Sequence, residues 1–110
     1  MKTDVQRRLD ALRADYVGKL PGQLHDIESA CGRLLAGELS ADGIVALRYA
    51  VHRLAGSAGS FGLDGLSRHA REAEQWIEAI LERPAMAAGS VGASLRKELA
   101  AMRAALPAKD

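Results

Sequence analysis

Apolar residues recur at spacings of three and four along nearly the whole chain, and this periodicity leaves room for little except amphipathic helices. Ile44, Leu47, Val51, Leu54, Ala58 and Phe61 make one such stripe. Val5, Leu9, Leu12, Tyr16 and Leu20 make another, and Leu24, Ile27, Cys31, Leu34 and Leu35 continue in the same manner. Leu66, Ala70, Ala73, Ile77 and Ile80 give a further stripe, and Val91, Leu95, Leu99, Met102 and Leu106 the last. Aromatic residues are only 4% of the chain against 48% hydrophobic overall, so the large β-formers that would support a sheet are scarce.

Punctuation divides these stripes. Thr3 or Asp4 is placed to cap the first helix, which Pro21 is expected to end or kink because proline lacks a donor and clashes one turn back. A second helix then begins at Pro21 and stops at Gly37. Ser40 or Asp42 opens the third, which Gly62 ends. Asp64 caps the fourth, which Pro84 ends. Residues 85–90 form a small-residue loop, and Ser90 caps the last helix. The expected architecture is an all-α, antiparallel up-and-down four-helix bundle with an additional N-terminal helix acting as a cover or extension. The 110 residues fit a single domain, with its core over about 16–106.

The bulk numbers exclude several function classes. A formal net charge of +1 gives no field directed at nucleic acid or an anionic membrane. Cys31 is the single cysteine, so no internal disulfide can form; its place on an apolar stripe marks it as core, and a cytoplasmic location is expected. No run reaches the roughly 20 apolar residues of a membrane span, and the N-terminus lacks a signal-peptide pattern. His25, His52 and His69 fall on three different expected helices without an HxxxH pair, which argues against a metal site. No phosphate-binding glycine loop is present, so the chain has no ATP site of a recognisable kind.

One stretch breaks the economy of its own helix. His52-Arg53-Leu54-Ala55-Gly56-Ser57-Ala58-Gly59-Ser60-Phe61-Gly62 places glycines at 56, 59 and 62. Gly62 fits a helix C-cap, but Gly56 is too early for that and costs roughly 1 kcal/mol relative to alanine. On a wheel of 100° per residue, with Ile44 at zero, the apolar stripe covers about 260° to 360° and His52 falls near 80°. His52 is therefore expected on the surface. Ala55, Gly56 and Gly59 leave one side of it low, and Arg48 lies one turn before it. A lone exposed imidazole with open space beside it can accept a phosphoryl group from a partner that supplies the remaining machinery.

His52-x-Leu54-x-Gly56-Ser57-Ala58 followed by Phe61-Gly62 resembles the signature of histidine phosphotransfer (HPt) domains of two-component phosphorelays. The likeness extends over most of the chain, from Val5 to Leu106. It implies a helical bundle in which His52 is phosphorylated at Nε2, with Glu74 at the position whose carboxylate holds Nδ1. The family usually has a lysine three residues after its histidine, and Ala55 stands there. Arg48, or Arg53, is the expected substitute cation, and these two with Ala55, Gly56 and Gly59 make up the expected partner face. The resemblance implies transfer between receiver domains of hybrid histidine kinases and response regulators. It implies no cofactor of the chain's own, Mg2+ being carried by the receiver, and a small closed bundle is expected to be a monomer. A helical adaptor that docks receivers or another partner without phosphorylation is the alternative.

Overall fold

The computed structural model describes residues 1–108. Four α-helices follow one another: α1 (Asp4–Leu35), α2 (Ala41–Ser60), α3 (Asp64–Glu82) and α4 (Ser90–Ala104). A short 3-10 helix, Pro84–Ala88, joins the last two. The bundle is therefore all-helical, as the periodicity requires, with no strand among the described residues.

The separate N-terminal helix is not formed. Residues on both sides of Pro21 belong to one helix of 32 residues. The reason lies in what the stripe touches. Leu20 and Leu24 flank the proline and both are fully buried, followed by Ile27, Cys31 and Leu34 on the same face. A break at Pro21 would pull Leu20 out of the core, and burying one leucine side chain contributes ~2 kcal/mol. Burial on both flanks offsets the backbone bond that the proline cannot donate, so packing overrides the local signal.

The helix ends follow the punctuation more closely. Thr3 caps α1 through a capping box: its hydroxyl accepts from the Gln6 N–H at 3.1 Å while its own N–H donates to the Gln6 side chain at 2.8 Å. Ser40 caps α2 by accepting from the Gly43 N–H at 3.1 Å. Gly37 and Gly62 have φ of +74° and +76°, the left-handed conformation that ends helices with glycine. At Gly62 the N–H donates to the Gly59 carbonyl at 3.0 Å and Leu63 donates to Ala58 at 2.8 Å, a Schellman ending. Two ends differ from expectation. Asp64 is the first residue of α3 rather than its cap, and Leu63 precedes it without a side-chain bond. Ser90 likewise starts α4 without capping it.

Side-chain pairs set the register. Arg48 meets Glu78, and His52 meets Glu74. A Cβ added at Gly59 would lie 3.2 Å from Ser67 Oγ. In all three pairs one number rises as the other falls, so α2 and α3 run antiparallel and close together. The 3-10 turn meets α4 more tightly still. A Cβ on Gly92 would lie 2.0 Å from the Ala87 carbonyl oxygen, so only glycine fits there. On the outside of the bundle the α1 and α4 pair is tied by Arg103, whose guanidinium donates to both Glu28 oxygens at 2.9 and 2.7 Å.

Cys31 is completely buried in this core, and burial pushes its thiol up to about 12. It is protonated at neutral pH and serves as a small apolar side chain. Trp76 packs against the core while staying partly exposed.

Candidate functional site

His52 projects from the middle of α2 with 67% of its side chain exposed. The wheel position explains this: the residue lies off the stripe that Val51, Leu54 and Ala58 bury. Its Nδ1 lies 3.1 Å from both carboxylate oxygens of Glu74 on α3. A carboxylate can only accept, so Nδ1 carries the proton and donates. In the neutral ring this leaves Nε2 unprotonated, with its lone pair free. The Glu74 side chain is only 14% exposed, so it is held against the helix pair and does not swing freely.

A second contact fixes Glu74. Arg48 Nη1 donates to Glu74 Oε2 at 3.3 Å and to Glu78 Oε1 at 3.2 Å. The resulting chain runs from Glu78 through Arg48 and Glu74 to the imidazole. It makes Arg48 a support for the carboxylate. As the expected stand-in for the missing lysine, Arg48 has its guanidinium already engaged by two acids. Arg53 is also turned elsewhere, its guanidinium 5.3 Å from the centroid of the Tyr49 ring.

The glycines separate by role. A Cβ at Gly56 would meet nothing within 4 Å, so this residue leaves open space beside the ring. Gly59 was expected to do the same. Instead it is half-buried, and its missing side chain lets α2 approach Ser67 on α3. Ala55, also expected on the partner face, is buried between the two helices. Its wheel position, close to the edge of the stripe, accounts for this. The buried Ser67 hydroxyl donates to the Ala55 carbonyl at 2.7 Å, which satisfies it without water.

Two further residues of the signature lock α1 onto the end of α2. Ser57 Oγ and the Tyr16 hydroxyl are hydrogen-bonded at 2.7 Å. Phe61 stacks on the Tyr16 ring at 4.4 Å between centroids. Serine and phenylalanine therefore hold the frame and stay away from the imidazole.

Sequence reasoning missed Arg71. This exposed α3 residue borders the shallow depression that holds His52, Gly56 and Glu74, and also the next one, around Gly59 and Asp64. Its Nη2 lies 3.8 Å from where a Cβ on Gly59 would be. Among the described residues it has no ion pair. The available signal was the antiparallel pairing itself, which brings the start of α3 beside the glycine end of α2.

No group of three or more histidine, cysteine or acidic residues among the described residues could hold a metal ion. None of the described helices is long and apolar enough to cross a membrane. What the site offers is a single exposed nitrogen nucleophile, oriented through its other nitrogen, beside a bare patch of helix.

A scan against family models matches the Hpt domain over residues 8–109. No curated protein and no solved structure matches the chain. The family match spans both helices of the His52 site and the whole bundle that presents them, and the chain belongs to the Hpt domain family, the histidine phosphotransfer modules of two-component signalling.

Proposed function

We propose that the chain is a phosphorelay intermediate that accepts a phosphoryl group on His52 Nε2 from the aspartyl phosphate of one receiver domain and delivers it to another. The observation that carries this reading is the contact between Nδ1 and Glu74 at 3.1 Å, on a ring that is otherwise open. The Nε2 lone pair forms the new N–P bond as the bond from phosphorus to the aspartyl oxygen breaks, and that electron pair returns to the receiver's carboxylate. Nε2 has no proton to lose. The positive charge that develops on the ring is balanced by Glu74, which faces the Nδ1 proton. Reversal with a second receiver regenerates the neutral ring. Mg2+ and the remaining charge stabilisation belong to the receiver. The chain acts as a carrier, without ATP chemistry of its own.

Arg71 takes the part that a lysine at position 55 plays elsewhere in the family. Among the described residues it borders the Gly56 patch without an ion pair, whereas Arg48 holds Glu74 in place. The receiver docks over His52, Gly56 and the adjoining face of α3. The site lies on the α2 and α3 surface, where a bulky partner can reach Nε2 without a pocket. Gly56 is small enough to let it close on the ring.

Incubation with a phosphorylated receiver domain tests the reading. The expected product is an acid-labile, base-stable phosphoryl label on this chain that disappears in His52→Gln. A label retained in that variant would overturn the assignment. Receiver binding without any label would favour the adaptor instead. Arg71→Gln is expected to slow transfer roughly tenfold, about 1.4 kcal/mol of barrier, while leaving the fold intact.

A further inference from the structure

The first twelve residues of α1 precede its contact with α2. Tyr16 is the first α1 side chain to meet α2, at Ser57 and Phe61. Asp4 to Asp15 therefore project about 18 Å past that contact. The molecule measures 56 × 24 × 18 Å, long for its width because of this arm. Val5, Leu9 and Leu12 form one stripe along it and are 64%, 57% and 59% exposed. They continue the face that Leu20 and Leu24 bury further along the same helix.

Their spacing, four then three and then four to Tyr16, is the core pattern of a two-stranded coiled coil. In that frame Arg8 and Asp15 lie on one flank of the stripe, and Gln6 and Arg13 on the other. The two possible orientations of a pair differ sharply in charge. In a parallel pair Arg8 would face Arg13 of the partner subunit, twice by symmetry. In an antiparallel pair Leu9 stacks on the partner's Leu12, Val5 reaches only the exposed edge of the partner's Tyr16, whose ring face is stacked on Phe61, and Arg8 faces the partner's Asp15, again twice. Gln6 then faces the partner's Arg13 without conflict. Arg8, Gln6 and Arg13 are exposed, and Asp15 carries only an exposed pair with Lys19 at 3.0 Å. Pro107 and Ala108 border a shallow depression together with Arg13, Ala14, Val17 and Gly18, to the side of the stripe.

We infer that this arm is a self-association surface, and that a second copy of this chain covers Val5, Leu9 and Leu12 by pairing antiparallel. A closed bundle core gives the expectation of a monomer, and the exposed stripe of α1 that the core does not reach is the reason to depart from it here. Three apolar side chains from each copy cover well under the roughly 1,200 Å² of a standard interface, so the pair is weak and reversible. The antiparallel direction keeps the two bundles at opposite ends of the paired arms. Both His52 sites lie on α2, outside the paired surface.

Sedimentation of the purified chain across a hundredfold range of concentration tests this inference. The expected result is a reversible monomer–dimer equilibrium. Leu9→Asp with Leu12→Asp should abolish it, with the helical circular dichroism of the bundle retained. Arg8→Asp should weaken association at least tenfold, because the new carboxylate is set against that of the partner's Asp15. Arg8→Asp combined with Asp15→Arg should return it to within about threefold of the starting chain, because the pair is restored with its signs exchanged. A chain that stays monomeric throughout, or a dimer indifferent to Leu9 and Leu12, would overturn the inference. So would tighter association of Arg8→Asp, the signature of parallel arms.

Discussion

Two histidines in this molecule are held by glutamates in nearly the same way, yet their surroundings differ. His52 Nδ1 lies 3.1 Å from Glu74 across the α2 and α3 pair. His69 Nδ1 lies 2.8 Å from Glu98 across the α3 and α4 pair. Each carboxylate selects the same tautomer and leaves Nε2 unprotonated in the neutral ring. His52, however, is 67% exposed, and His69 is 28% exposed. Beyond His52 on its helix comes Gly56, with open space around it; the corresponding residue beyond His69 is Ala73, which is fully buried. On the proposed reading, a polarised imidazole is not by itself enough for phosphoryl transfer, and the two sites differ in what a partner can reach. Clearance for the partner separates a relay site from a cross-link between helices.

The largest expected difference comes from removing each ring. His52→Gln should abolish phosphoryl acceptance and leave the melting temperature almost unchanged, because the side chain is mostly exposed. His69→Gln should leave acceptance intact and cost about 1 kcal/mol of stability through the lost bond to Glu98. Transfer assays and thermal melts on the same two proteins check this crossing of effects. Equal losses of activity would break the comparison.

Changing the carboxylates should give a smaller effect of the same form. Glu74→Gln removes the charge that stabilises the ring as it becomes cationic, so acceptance should slow roughly tenfold, about 1.4 kcal/mol. Glu98→Gln should leave the rate unchanged. Rapid-quench measurement of the phosphorylated fraction separates the two.

Gly56→Ala sharpens the role of clearance. Its Cβ enters open space within a helix, so the variant should be more stable by about 0.5–1 kcal/mol. Transfer should nonetheless slow several-fold, because the receiver now meets a side chain beside the ring. A variant that is both more stable and equally active would show that the glycine is not needed for access. Gly92→Ala supplies the opposite case. Its Cβ would sit on the Ala87 carbonyl, so denaturation should show a loss of about 1–3 kcal/mol without a specific effect on transfer.

The smallest effect concerns a carboxylate paired with arginine in place of histidine. The bond from Arg103 is the main reason that the Glu28 carboxyl lies below the usual range. A lowered folded-state value means that the stabilisation is present above the unfolded carboxyl's range and is lost as the pH falls through the folded one. The pair is partly exposed to solvent, which screens it, so the contribution should be small. Denaturant midpoints of the chain and of Glu28→Gln should converge as the medium becomes acidic. A gap that widens on acidification would contradict this sign.

Much of the bundle was legible because burial follows periodicity. Ile44, Leu47, Val51 and Leu54 lie where a 3.6-residue repeat places them, and His52 is outside for the same reason. Gly37 and Gly62 were legible as helix ends because a left-handed residue is required at each. Pro21 misled, since its local cost is visible in the sequence whereas the packing of Leu20 and Leu24 that outweighs it is tertiary. Gly59 and Ala55 misled for a related reason. A wheel gives an azimuth, but it does not say how closely the next helix approaches. Ser67, Arg71 and Ala87 occupy positions set by that approach. The contact of Glu74 with His52 was an expectation from the resemblance, and the antiparallel register of α2 and α3 brings the two together.

Nitrogen-15 NMR of the histidine rings, recorded before and after phosphorylation by a receiver domain, tests the central claim most directly. The account predicts that His52 alone changes. It starts with its proton on Nδ1 and ends with phosphorus on Nε2 and the Nδ1 proton retained. A phosphoryl group on Nδ1, on His25 or on His69, or a free His52 with its proton on Nε2, would contradict it.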